Sequence, residues 1–200
     1  NTTYQSYMAQ LQLMDRTTQQ AYDYIDSQID VQEFINYQIA QIYFANTDWP
    51  GNNIKFWREK SPNGKFRWLL FDTDFGFGLY NGASYATHPT LDFATDPSKT
   101  EWPNPAWSTL HLRLLLQNTM FKERFVQTFM TAINTTFSPT RVHGIISALQ
   151  QQLTPEMTRH KQRWRGAVSG WNWEVQRLRA FATDRNNFMK QYVPAFFNVM

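Results

Sequence analysis

A mainly helical α+β fold with one small β-hairpin is what this 200-residue sequence predicts, and three observations predict it. Apolar residues recur at helical spacing over several separate segments. The first of these opens on Asp30-Val31-Gln32-Glu33, which reads as a capping box. Two short runs rich in aromatic and aliphatic residues flank the turn signal Ser61-Pro62-Asn63-Gly64.

In chain order, a helix is expected from Asp30, with Val31, Phe34, Ile35, Ile39, Ile42 and Tyr43 on its apolar face and its end near Ala45 and Asn46. A polar turn, Asn46-Thr47-Asp48-Trp49-Pro50-Gly51-Asn52-Asn53, leads into a strand over Ile54 to Arg58, and a second strand is expected over Phe66 to Phe71. The hairpin delivers the chain into Asp72-Thr73-Asp74-Phe75-Gly76-Phe77-Gly78. The stretch from Gly78 to Pro105, rich in Gly, Pro, Asn and Thr, is expected to be one long functional loop. Helical periodicity returns over Trp107 to Gln117, Met120 to Phe137, Arg141 to Leu153, Pro155 to Ala167, and Asn172 to Val193 with a break near Thr183. No internal repeat or linker interrupts the chain, and no element is assigned before Asp30.

Composition narrows the class. A hydrophobic content of 42% with 16% aromatic residues suffices for a packed core. Nineteen Lys and Arg against 16 Asp and Glu leave a formal charge of +3, too small to point to a nucleic-acid partner. The absence of cysteine removes disulfides, thiolate nucleophiles and cysteine-metal sites, and fits an extracytoplasmic compartment without requiring one. No apolar run approaches the roughly 20 residues a membrane-spanning helix needs. The amino end, Asn1-Thr2-Thr3-Tyr4, has neither an initiator Met nor signal-peptide grammar, so the chain is expected to be an excised fragment.

The chemistry-bearing residues gather around the hairpin: Asp48 and Asn53 before it, Asp72 and Asp74 after it. On an extended segment, residues two apart share a face, so Asp72 and Asp74 are expected to point the same way toward one cation or an adjacent pair. Oxygen-only ligands select magnesium or manganese over zinc. Protein kinases place a catalytic Asp five positions before a metal-binding Asn, then a hairpin that ends at a metal-binding Asp. Asp48, Asn53 and Asp72 follow that order. Read alone, Asp48 beside Pro50 and Gly51 is more readily a turn or capping aspartate, Asn52 and Asn53 are ordinary left-handed turn residues, and the Asp pair is a strand end bonded to backbone amides.

The segments Asn46 to Asn53 and Trp68-Leu69-Leu70-Phe71-Asp72-Thr73-Asp74-Phe75-Gly76-Phe77-Gly78, with the helix Phe34 to Phe44 and the late segment Leu178 to Arg185, resemble CotH kinase domains over most of the chain. The resemblance implies the large lobe of an atypical protein-kinase-like fold, using ATP with Mg2+ or Mn2+ to phosphorylate Ser or Thr of a protein acceptor. It implies a spore-coat, cell-surface or otherwise extracytoplasmic setting. It makes Asp48 the catalytic carboxylate that orients the acceptor hydroxyl and takes its proton, and makes Asn53 and Asp72 metal ligands, with Asp74 a second ligand or an orienter. The sequence departs from a complete kinase: nothing before Asp30 offers a Gly-rich phosphate loop or a strand lysine with its partner acid. Residues 1–200 are therefore expected to form a single catalytic and metal-binding portion that lacks an upstream nucleotide lobe and is only weakly active alone. A glycosyltransferase holding a nucleotide sugar through Asp72 and Asp74, and a non-catalytic surface or interaction module of the same fold, are the competing readings.

Other features point less sharply. Trp49 could wall the acceptor site, and Arg185 could make an ion pair beneath the catalytic loop or be an exposed helix charge. The basic run Arg159 to Arg165 reads as a solvated helix face ahead of a phosphate or acidic-partner site. The four histidines are scattered and receive no role.

Overall fold

The computed structural model describes residues 2–79, 83–98, 104–164 and 170–199. Nine α-helices, two 3-10 turns and a two-stranded antiparallel sheet make up the described residues, and they divide into two compact units. No helix among them is long and apolar enough to cross a membrane.

The first unit comprises residues 1–76 and 89–129. It holds α1 (Thr2–Leu13), α2 (Gln19–Gln28), α3 (Val31–Phe44), β1 (Phe56–Arg58), β2 (Phe66–Trp68), α4 (Thr90–Thr95), α5 (Ala106–Leu115) and most of α6 (Thr119–Asn134). The Asp30 side chain caps α3 by accepting from Glu33 N at 3.2 Å, as the capping box predicts. The reciprocal acid is used elsewhere: Glu33 Oε2 accepts the backbone N–H of Trp68 at 2.8 Å. Around this point β2 is pinned to the start of α3. Asp30 N donates to Phe66 O at 3.0 Å, Arg67 Nε donates to Asp30 Oδ2 at 2.9 Å, and Lys65 Nζ reaches Asp26 Oδ2 at 3.1 Å. The strands pair Phe56 with Trp68, Trp57 with Arg67 and Arg58 with Phe66. Phe34, Ile35, Ile42, Tyr43, Phe66, Leu115, Phe121 and Phe125 are buried and form the core beneath the hairpin. Burial of such side chains is worth about 1.5–3 kcal/mol each.

Two helices precede Asp30 where none was assigned. The stripe Tyr7 and Leu11 is fully buried on α1, and Ala21 and Ile25 are buried on α2, whose first turn is capped by Thr18 Oγ1 accepting from Ala21 N at 3.1 Å. Both strands are shorter than predicted. The expected long loop also contains a 3-10 turn (Ala83–Thr87) and α4, while residues 80–82 and 99–103 of it lie outside the described residues.

The second unit comprises residues 77–88 and 130–200, with α7 (Pro139–Leu153), a 3-10 turn (Thr154–Glu156), α8 (Met157–Arg163) and α9 (Trp171–Phe197). The helix expected over Pro155 to Ala167 is thus a 3-10 turn followed by a short helix, with residues 165–169 outside the described residues. No break occurs near Thr183. Its hydroxyl donates back to Arg179 O at 3.2 Å, so α9 runs on through it. α9 packs against α7 and against the Ala83–Thr87 turn. Asn186 Nδ2 closes the end of α6 by donating to Ile133 O and Phe137 O at 2.7 and 3.0 Å. Arg185 is fully buried, which overturns the exposed-charge reading, and its Nη1 donates to Ala86 O and His88 O at 2.8 and 2.7 Å. Arg159, His160, Lys161 and Arg163 of the basic run lie exposed on α8, as expected of a solvated face.

Candidate active site

The site begins where α3 stops. Ala45 takes a left-handed conformation at φ 51°, and Asn46 N reaches back to Gln41 O at 3.3 Å, which turns the chain out of the helix. Asn46 then organises the loop from below. Its Nδ2 donates to Gln41 Oε1 at 2.8 Å and its Oδ1 accepts from Asp48 N at 3.0 Å. Asp48 is 7% exposed, and its carboxylate accepts three amide N–H bonds. Asn52 Nδ2 donates to both oxygens at 3.0 Å, and Asn53 Nδ2 donates to Oδ2 at 2.7 Å. A carboxylate this buried needs such partners.

The hairpin brings the second half of the site alongside. Thr47 donates to Phe75 O through its backbone N–H and through its hydroxyl, both at 3.3 Å, so the neighbours of Asp48 and Asp74 in the chain are hydrogen-bonded. Gly76 completes the junction: a Cβ there would come within 3.1 Å of the Phe44 Cβ and 3.2 Å of the Phe44 carbonyl, a closeness only glycine accepts without displacement.

Asp72 and Asp74 are both exposed, while Phe71, Thr73 and Phe75 between and around them are half-buried. The alternation of exposure matches the expectation, but its stated cause does not. β2 ends at Trp68, and Asp72 sits at φ 52°, so the pair is not on an extended strand. Asn53 shares that left-handed conformation at φ 52°. Two proposed ligands in a sparsely populated region are an outlier of the kind that collects at functional sites, although Asn and Asp enter it more easily than other residues. No described residue's backbone amide bonds either carboxylate, so the strand-end reading of the pair is not what the structure holds.

Among the described residues no group of three His, Cys, Asp or Glu stands close enough to hold a metal. The residues expected as ligands offer the Asn53 amide oxygen, left over when Nδ2 donates to Asp48, and the carboxylates of Asp72 and Asp74. They are hard oxygen donors of the sort magnesium uses when phosphate and water complete its shell.

Sequence reasoning missed Asn52 and Asn46. Both were legible only as turn formers, and nothing in the sequence separates a turn asparagine from one that clamps a carboxylate. Trp49, expected to wall the acceptor site, is 2% exposed and turned into the core, and the Trp49–Pro50 peptide is cis. His111 was assigned nothing, yet it sits at the centre of the first unit. Its Nδ1 and Nε2 are hydrogen-bonded to the hydroxyls of Tyr4 and Tyr7 at 3.2 and 2.9 Å, and burial pushes its pKa down to about 3.

No match was found among curated proteins, and none among solved structures. The sequence profile of the family described as CotH kinase protein matches residues 1–189, a span that runs through both units and includes Asp48, Asn53, Asp72 and Asp74. With the profile covering nearly all of its length, the chain belongs to the CotH kinase family.

Proposed function

We propose that this chain transfers the γ-phosphoryl group of ATP to a Ser or Thr hydroxyl of a protein acceptor at the Asn46 to Asn53 loop. One observation carries the reading: Asp48 is buried, oriented by three amide bonds, and held at 2.7 Å by the asparagine five residues on. A carboxylate offers about four lone-pair sites. With two bonds on Oδ2 and one on Oδ1, the remaining site lies on Oδ1, where an acceptor hydroxyl would donate its proton as its oxygen attacks phosphorus. Asn52 and Asn53 keep that oxygen aimed and cannot themselves take the proton.

Asn53, Asp72 and Asp74 would hold Mg2+ or Mn2+ with the nucleotide, Asp72 as principal carboxylate. When bound, the cation neutralises charge that builds on the phosphoryl oxygens. An extracytoplasmic, cell-surface or spore-coat setting belongs to the same proposal and rests on the resemblance alone.

Calorimetry of ATP binding with and without Mg2+ tests the ligand assignment. Asp72→Asn keeps a side chain that tolerates φ 52° and removes the charge, so it is expected to weaken magnesium-dependent ATP binding at least about 10-fold with the melting temperature unchanged. Unchanged affinity would overturn Asp72 as principal ligand.

A further inference from the structure

The net positive charge of the chain sits in its second unit. Residues 130–200 hold nine Lys and Arg against three Asp and Glu, whereas residues 1–129 hold ten against thirteen. Arg159, Lys161 and Arg163 are exposed on α8, and of these only Arg159 has an ion-pair partner among the described residues, Glu156 at 3.3 Å.

The helical run that ends in α8 presents its sides in an unusual order. α7, the 3-10 turn and α8 follow one another with Leu153, Thr154, Glu156 and Met157 all in the right-handed helical conformation, and none of the three elements contains a buried residue. α9 meets a polar side of α7. His143 Nε2 is hydrogen-bonded to Arg179 O at 3.0 Å, and Arg179 Nη2 donates to Ser147 Oγ and Gln150 Oε1 at 2.9 and 3.4 Å. Ile145, Leu149 and Leu153, four residues apart and so aligned along another side, are 49%, 52% and 49% exposed. A helix of a globular domain ordinarily turns its aliphatic stripe toward the core. Here the stripe faces solvent, and the chain runs on through the three cations to Trp164, 57% exposed, with the Arg163 guanidinium over its ring at 5.1 Å.

Two features of this ridge select its partner. The cations call for an anionic surface, and the aliphatic stripe with its tryptophan calls for a surface that also takes up apolar side chains. A soluble phosphate compound or a nucleic-acid backbone would leave Ile145, Leu149 and Leu153 in water, and an uncharged apolar partner would leave the cations without counter-charge. An anionic bilayer meets both demands, with phosphates for Arg and Lys and a headgroup boundary where aliphatic chains and tryptophan settle. We propose that the α7 to α8 ridge docks the second unit on an anionic lipid bilayer, with Ile145, Leu149, Leu153 and Trp164 at the headgroup boundary and Arg159, Lys161 and Arg163 among the phosphates.

Co-sedimentation of the 200-residue chain with vesicles tests this, using mixed phosphatidylglycerol and phosphatidylcholine in one arm and phosphatidylcholine alone in the other. The wild type is expected to bind the anionic vesicles, with a blue shift of tryptophan emission that Trp164→Phe diminishes, and to leave the neutral ones unbound. Replacing Arg159, Lys161 and Arg163 together by Gln should weaken binding about 100-fold, at about 5-fold for each cation beside an anionic surface. Leu149→Gln with Leu153→Gln should weaken it at least about 10-fold, because the stripe then no longer gains by leaving water. No binding to the anionic vesicles, or equal binding to both kinds, would overturn the proposal. So would full affinity in the Leu149→Gln, Leu153→Gln variant, which would reduce the attraction to charge alone. Polyglutamate bound as tightly as the vesicles would mark an acidic polypeptide as the partner and overturn it as well. Every substituted residue is exposed, and the comparison of the two vesicle compositions is made on the wild type and stands even if a variant fails to fold.

Discussion

Asp48 and Asp72 are proposed to serve one reaction, yet their surroundings are opposite. Asp48 is buried, wrapped by three amide bonds and backed by the aromatic interior of the first unit. Asp72 is exposed at a left-handed φ with no amide bonded to it among the described residues. One half of the site is built by folding, and the other half is left open to solvent. Substitutions on the buried side should therefore disturb stability and activity together, and those on the exposed side activity alone.

The largest expected effect belongs to the buried interior. His111 is neutral in the folded chain down to about pH 3, whereas an unfolded chain protonates its imidazole near 6.5. The unfolded state thus binds more protons between these values. The contribution to stability is fully present above pH 6.5 and is lost as pH falls toward 3, at about 1.4 kcal/mol per pH unit. His111→Gln should flatten that dependence in urea melts at pH 7, 5 and 4; an unaltered slope would show that another group dominates acid lability.

Next comes Asp48→Asn. The new amide presents an N–H group to Asn52 and Asn53, which are both donors, and should cost about 1–3 kcal/mol while leaving the chain folded. The substitution preserves the shape of the side chain but not its hydrogen-bond polarity. Asn52→Ala removes only the bidentate clamp and should cost about 1 kcal/mol. Chemical denaturation of the two variants should rank them in that order, and equal stability to wild type would break the picture of a prebuilt loop.

The smallest effect has the opposite sign. Asp72→Gly removes a Cβ from a left-handed position and should leave stability unchanged or raise it by up to about 1 kcal/mol, even as it deletes the proposed ligand. A loss of stability would place Asp72 with the structural residues and remove the contrast with Asp48.

Much of this was legible in the sequence because its signals are local. The Asp30 cap, the apolar face of α3, the turn around Asn63 and Gly64 and the five-residue step from Asp48 to Asn53 each rest on residues close in the chain. The two helices before Asp30 were not legible. Their buried stripes are only Tyr7 with Leu11 and Ala21 with Ile25, set among glutamines, and their stability comes from packing on distant elements. The left-handed Asp72 was hidden because an Asp two residues from another in a β-rich run reads as strand. Arg185 read equally as an ion-pair partner and as a surface charge because the carbonyls it serves, at Ala86 and His88, are about a hundred residues away.

The central claim is that Asp48 takes the acceptor's proton during phosphoryl transfer, and label transfer tests it most directly. Wild type and Asp48→Asn, with equal folded fractions verified by circular dichroism, are incubated with γ-labelled ATP, Mg2+ and a generic protein acceptor. The account predicts Ser or Thr phosphorylation by the wild type and a rate lower by about 100-fold or more in the variant. Equal incorporation by the two proteins would contradict it.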